Sequence, residues 1–127
     1  MKRSTKQRSV ISKVLATAGR PLNPQEVLEA GQHELPGLGI ATVYRTLNLL
    51  ADEHLIKVVD VPGQGSRYYE MANLAQHDHF FCQACHRVFD IAAPSQAQPP
   101  PVPEAFTVET TETVYSGRCP NCKAGTA

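Results

Sequence analysis

The sequence predicts an α+β fold in two parts: a helical segment closed by a β-hairpin, then a smaller segment of strands tied together by cysteines. Three observations predict it. Apolar residues recur at helical spacing in three successive stretches before Glu53 and then give way to short extended runs. All four cysteines lie beyond that change, in two CxxC steps, Cys82-Gln83-Ala84-Cys85 and Cys119-Pro120-Asn121-Cys122. Between the steps, Pro94, Pro99, Pro100, Pro101 and Pro103 break up residues 93–103, which read as an extended linker.

Residues 6–18 read as the first helix, because Val10, Ile11, Val14, Leu15 and Ala18 fall on one face. Gly19-Arg20-Pro21 ends it. Asn23 is a natural N-cap for the second helix, with Pro24 at its first position and Glu26 where a capping box places a carboxylate. Gly31 marks the end of that helix. After the turn Leu35-Pro36-Gly37-Leu38-Gly39, a third helix runs from about Ile40 to Asp52. Its predicted buried stripe is Ile40, Val43, Leu47 and Leu50, which leaves Ala41, Thr42, Tyr44, Arg45 and Asn48 off that stripe. Residues 56–61 and 66–71 read as two strands joined by the turn Pro62-Gly63-Gln64-Gly65. Three helices and a hairpin make a winged helix-turn-helix, in which the third helix enters the major groove. Further on, residues 79–82 and 87–91 read as strands flanking the first CxxC. Residues 106–115 read as a last strand that delivers the second, and residues 124–127 as a frayed end. The predicted division is 1–72 for the winged helix, 73–76 for a hinge and 77–127 for the cysteine-bearing domain.

Length and charge narrow the function. A chain of 127 residues builds one ordinary domain or two small ones, and small domains bury little core. Net charge is zero but uneven. Lys2, Arg3, Lys6, Arg8, Lys13 and Arg20 crowd residues 1–20 without one acid, half of the 12 basic residues. From Glu70 onward, six acids stand against Arg87, Arg118 and Lys123. This asymmetry points to an anionic partner for the first half. The opening residues are polar and basic, and no run is long enough to span a membrane, so a cytoplasmic chain is expected. Thiols there stay reduced, which favours metal over two disulfides.

A CxxC step brings two thiolates to one ion, and two steps complete the tetrahedral four-sulfur shell of structural zinc. The 33 residues between Cys85 and Cys119 form a domain whose two ends zinc would pin together. Cys82-Gln83-Ala84-Cys85-His86 also matches the c-type haem attachment string, but that chemistry requires export and leaves Cys119 and Cys122 unexplained. His77 and His79 are two apart, so on a strand they share a face, while Cys82 has the opposite parity. The histidines therefore belong to a second site, with Glu70, Asp78 and Asp90 as candidate carboxylates. A nitrogen and oxygen shell without sulfur suits iron, manganese or zinc. No base, nucleophile or cleft announces hydrolytic chemistry, so no enzyme is expected. On the third helix Arg45 is placed to read guanine and Tyr44 to pack on thymine methyls, while Thr42 and Arg67 suit phosphate.

Five motifs in this order and spacing resemble the ferric-uptake-regulator (Fur) family of bacterial metal-dependent repressors. They are Arg3-x-Thr5-x-Gln7-Arg8, the run Gly39-Ile40-Ala41-Thr42-Val43-Tyr44-Arg45-Thr46-Leu47, Arg67-Tyr68-Tyr69-Glu70, the string from His77 to Cys85, and the closing Cys119-x-x-Cys122. The resemblance implies a homodimer whose C-terminal α/β domain is the dimerisation domain. It implies structural Zn2+ on Cys82, Cys85, Cys119 and Cys122, and a regulatory ion at the hinge on Glu70, His77, His79 and Asp90. It also implies an AT-rich palindromic operator in double-stranded DNA, met by Arg3, Ala41, Thr42, Tyr44, Arg45 and Arg67. The regulatory ion is expected to be Fe2+ or Mn2+, in control of iron or manganese uptake; Zn2+ and zinc-uptake control come second. Three departures stand out. Pro21, next to Arg20, occupies the place of a histidine that the family's peroxide-sensing branch uses, which sets peroxide sensing lower and leaves His33 as a candidate substitute. Gln76 and Thr111 stand where a further metal site commonly has histidines. The proline-rich stretch replaces a helix.

Overall fold

A computed structural model describes residues 2–72, 77–92 and 101–124, with the backbone alone at 2–4 and 124. The elements run α1 (Lys2–Ala18), α2 (Pro24–Gly31), α3 (Ile40–Asp52), β1 (Ile56–Asp60), β2 (Arg67–Met71), β3 (Asp78–Cys82), β4 (Val88–Ile91), β5 (Val114–Gly117) and α4 (Pro120–Ala124). The expected α+β class is what is found. The chain divides into two compact units, Met1–Leu74 and Ala75–Ala127. Residues 73–76, read as a hinge, and most of the proline-rich stretch, 93–100, lie outside the described residues. Among the described residues no helix is long and apolar enough to cross a membrane.

In the N-terminal unit, α1, α2, α3, β1 and β2 enclose one apolar core, built on Ile11, Leu15, Val27, Val43, Leu47 and Leu50 with Leu22, Leu38, Ile56 and Tyr69 at its margins. The start of α2 follows its capping chemistry. Asn23 Oδ1 accepts from the Glu26 N–H at 2.8 Å, and Glu26 Oε1 accepts from the Asn23 N–H at 3.0 Å. The buried stripe of α3 is Val43, Thr46, Leu47 and Leu50. Ile40, expected on that stripe, is 39% exposed, because the core stops one turn short of the helix N-terminus. Past α3 the chain turns through His54, at φ 61°.

β1 and β2 pair antiparallel in the register Lys57↔Glu70 and Val59↔Tyr68. The turn between them closes with Gln64 N–H donating to Val61 O at 3.1 Å and has Gly63 at φ 82°. Leu22 adds a fragment of a third strand: its N–H donates to Tyr69 O at 2.9 Å, and the Tyr69 N–H returns to Leu22 O at 2.8 Å. The α1–α2 connection is thereby tied to the strand that carries Glu70.

The C-terminal unit is a three-stranded sheet in the order β4-β3-β5, with β3 antiparallel to β4 and parallel to β5. Two expectations are corrected here. The strand read over 106–115 is confined to Val114–Gly117, and residues 101–112 are exposed and outside regular secondary structure. Its alternation is of threonine and glutamate more than of apolar residues, so no buried face fixes it as a strand. The second CxxC is carried by a short helix, α4, closed by Lys123 N–H donating to Cys119 O at 2.9 Å, where the sequence suggested fraying from Ala124. Residues 125–127 lie outside the described residues.

Candidate metal centres and nucleic-acid face

Four cysteine thiols meet where β3 ends and α4 begins. Cys82 closes β3 and is fully buried; Cys119 is also buried, Cys122 is half-buried and Cys85 is exposed. None is in a disulfide. Their sulfurs lie within 4.8 Å of one another, and Cys85 Sγ is 4.0 Å from Cys119 Sγ. Ligands about 2.3 Å from a tetrahedral ion stand about 3.8 Å apart, so the set fits zinc. The turn that presents Cys85 is held by His86 N–H donating to Cys82 O at 2.8 Å, Cys82 N–H to Arg87 O at 3.0 Å, and Gln83 N–H to Gly117 O at 2.7 Å. His86 takes φ 62° and stacks its ring on Phe81 with centroids 5.9 Å apart.

Three of these thiols are shifted in different directions. Burial pushes Cys82 up, but the N–H groups of Cys85, Cys119 and Ala84 more than offset it and bring the thiol down to about 6. Cys85 is raised, first by burial. Contact with the Cys119 and Cys82 sulfurs, then burial, pushes Cys122 up to about 12. One sulfur is poised as thiolate while others hold their protons. A cation among them would favour the thiolate form of each.

The second cluster forms at the other end of β3. His79 pairs across the sheet with Asp90 of β4, and His77 immediately precedes the strand. The two imidazoles meet edge to face at 4.7 Å between centroids. Asp90 Oδ1 lies 2.9 Å from His77 Nε2 and 3.4 Å from His79 Nε2. Donors about 2.1 Å from one ion are about 3.0 Å apart across an octahedral edge and about 3.4 Å apart across a tetrahedral one. The spacings therefore suit a divalent cation without choosing its geometry. His79 and Asp78 are buried, so both faces of β3 are covered.

The remaining residues named from the sequence are placed as follows. Glu70 belongs to the N-terminal unit, on β2 opposite Lys57, and its side chain is 2% exposed. His33, offered as a substitute ligand, is exposed just past α2 and joins neither cluster among the described residues. Beside Pro21, Arg20 donates to Glu26 Oε2 at 2.7 Å and to Pro21 O at 3.2 Å, so an ion pair stands where a histidine ligand was looked for. That pair was missed from sequence, although its acid partner had been identified as a cap. Thr111 is exposed, and Gln76 lies outside the described residues.

On α3, Tyr44 is 50% exposed, Ala41 and Arg45 are exposed, and Thr42 is half-buried. Arg45 donates to Thr42 Oγ1 at 3.1 Å, one helical turn away. Arg67, exposed on β2, lies 3.8 Å from Asp60 across the hairpin. The side chain of Arg3 is outside the described residues.

A winged-helix unit followed by a unit with two clusters of metal-ligand side chains defines a metal-binding protein of the winged-helix class. Residues 2–115 match the ferric uptake regulator family, and the chain belongs to that family. It is similar to the ferric uptake regulation protein of Campylobacter jejuni, 36% identical over 92 residues that cover 71% of this chain and 58% of the relative. The chain spans about three fifths of the length of the curated relatives it matches. Among solved structures it is similar to the Helicobacter pylori ferric uptake regulator Fur, with TM-score 0.73 and 25% identity, covering 96% of this chain and 83% of that one; three functional metal binding sites are described there. It is also similar to FurB from M. tuberculosis, a zinc uptake regulator, with TM-score 0.53 and 25% identity over 94% of this chain and 95% of that one.

Proposed function

We propose that this chain is a cytoplasmic, metal-dependent, DNA-binding transcriptional repressor that acts as a homodimer in metal-ion homeostasis. The observation that carries the reading is the sulfur-free cluster of His77, His79 and Asp90, set apart from the four-cysteine cluster within one small unit. Two donor sets of different softness suit two different duties. Zn2+ on Cys82, Cys85, Cys119 and Cys122 supplies a permanent crosslink; Fe2+ or Mn2+ on His77, His79, Asp90 and Glu70 supplies a reversible one.

Glu70 is the only member of the regulatory set that comes from the N-terminal unit. Sharing an ion with the other three ties β2 to the C-terminal unit and limits the angles the two winged helices of a dimer can take. Both α3 helices then reach the major grooves of two half-sites of an AT-rich palindrome together. At each half-site Arg45 reads guanine in bidentate fashion, steadied by Thr42, and the exposed ring of Tyr44 packs on thymine methyls. Ala41 lets the helix approach closely, and Arg3 and Arg67 meet phosphate. A few kcal/mol of differential ion binding shifts occupancy substantially.

Control of iron or manganese uptake comes first, because the regulatory set lacks thiolate. Zinc-uptake control is second, favoured by the similarity to FurB. Peroxide response ranks lower, since Arg20 and Glu26 are engaged with each other beside Pro21. The test is DNA binding by purified protein titrated separately with Mn2+, Fe2+ and Zn2+, beside the double change His77→Ala, His79→Ala. Metal-dependent binding that the double variant loses is expected; a full metal response in the variant would overturn the reading.

A further inference from the structure

α1 and α3 leave an open groove of about 650 Å³ between them, with Leu49 in its lining. One wall is the face of α3 that bears Thr42, Arg45, Asn48 and Asp52; the other is Thr5 and Arg8 of α1. Thr42 and Arg45 place one end of this groove on the proposed DNA-reading face. At the other end Arg8 is occupied: both guanidinium nitrogens reach the carboxylate of Glu53, Nη1 at 3.4 Å from Oε2 and Nη2 close against Oε1. Both side chains remain about 40% exposed.

Glu53 sits where an acid is least welcome. It caps the C-terminal end of α3, next to Asp52, where the helix dipole already concentrates negative charge. Nothing local to the helix favours it there, so its settled position depends on Arg8. Its charge also cancels the cation at one end of the groove. Hydroxyls, two amides and two guanidinium groups outnumber the Asp52 carboxylate in this trough and match a phosphodiester backbone, which needs donors and positive charge; the Arg8–Glu53 pair withholds part of both.

We propose that the α1–α3 groove is a phosphate-backbone seat and that Glu53 is an internal competitor for it, released from Arg8 when DNA enters. This rests on the repressor reading above. Because the pair is half-exposed, the exchange needs only a side-chain rotation. In the free protein Arg8 is neutralised, so non-specific binding is weakened without any loss at the base-reading residues Tyr44 and Arg45.

Glu53→Gln, Arg8→Gln and the double change are compared with wild type by fluorescence anisotropy, all Mn2+-loaded. The probes are a duplex enriched from a random library by the wild-type protein and a scrambled duplex of equal length, between about 50 and 200 mM salt. Glu53→Gln should bind both duplexes about threefold to tenfold more tightly at the low salt, and its log–log salt slope should steepen by about 0.9, the signature of one more phosphate contact. In the Arg8→Gln background the gain should vanish. An unchanged affinity and slope in Glu53→Gln overturns the proposal. So does a gain that survives Arg8→Gln, which would be the general effect of removing a negative charge. If the library yields no bound duplex, the repressor reading itself fails and this inference falls with it, an outcome distinct from both.

Discussion

The N-terminal unit closes on one contiguous apolar core that reaches from Ile11 on α1 to Tyr69 on β2. In the C-terminal unit, the buried apolar residues among those described are Phe81 and Val88, joined by Cys82 and Cys119. The first unit has the burial that ordinarily offsets chain entropy, and the second has little of it. What the second has is a set of convergent thiols at the seam between β3 and α4. Apolar packing and a cluster of metal-ligand side chains thus appear side by side in one chain, each where the other is scarce.

The largest expected effect breaks this comparison outright. Removing zinc with a chelator, or Cys82→Ser, should unfold the C-terminal unit, since structural zinc contributes on the order of 10 kcal/mol in small folds. Hydrogen exchange should show protection lost over 77–92 and 114–117 and kept across α1, α2 and α3. Equal protection in both units after chelation would mean that the sheet holds itself. The next effect tests the other side. Leu47→Ala, at a fully buried core position, should cost about 2–5 kcal/mol in denaturant unfolding of the N-terminal unit. The metal occupancy of the cysteine cluster, measured by a zinc-release assay, should stay the same. The smallest effect sharpens the comparison. His54→Gly relieves a left-handed backbone at the end of α3 and should raise the stability of the N-terminal unit by about 1 kcal/mol. A loss of stability there would show that the His54 side chain contributes more than its backbone costs.

These regions were not equally legible in the sequence. The helices were, because their signals are local: Asn23 and Glu26 lie within one turn, and the apolar positions of α1 repeat within reach of one another. The cysteine cluster was legible because CxxC spacing is itself a geometric statement. Asp90 was legible as a carboxylate on the strand after the first CxxC, but its register opposite His79 was not. What escaped depended on distant partners. Arg8 and Glu53 are 45 positions apart and meet only because α1 lies against α3. The exposure of Ile40 reflects where the core runs out, which no periodicity reports. The shortness of β5 reflects the absence of a buried apolar face over residues 106–112, whose β-branched content alone favours a strand.

The spacing of the two cysteine pairs also has a consequence in time. Cys119 follows Cys85 by 33 intervening residues, and a ribosome adds about 5–20 residues per second. For a few seconds of synthesis, then, the helical unit is already complete while the first two thiols wait at the end of a strand with half a coordination shell. Thiolates in a half-filled site of that kind are ligands for soft metals and substrates for oxidants. The four-thiol cluster is thus the later of the two ligand clusters to have all its members present on the growing chain.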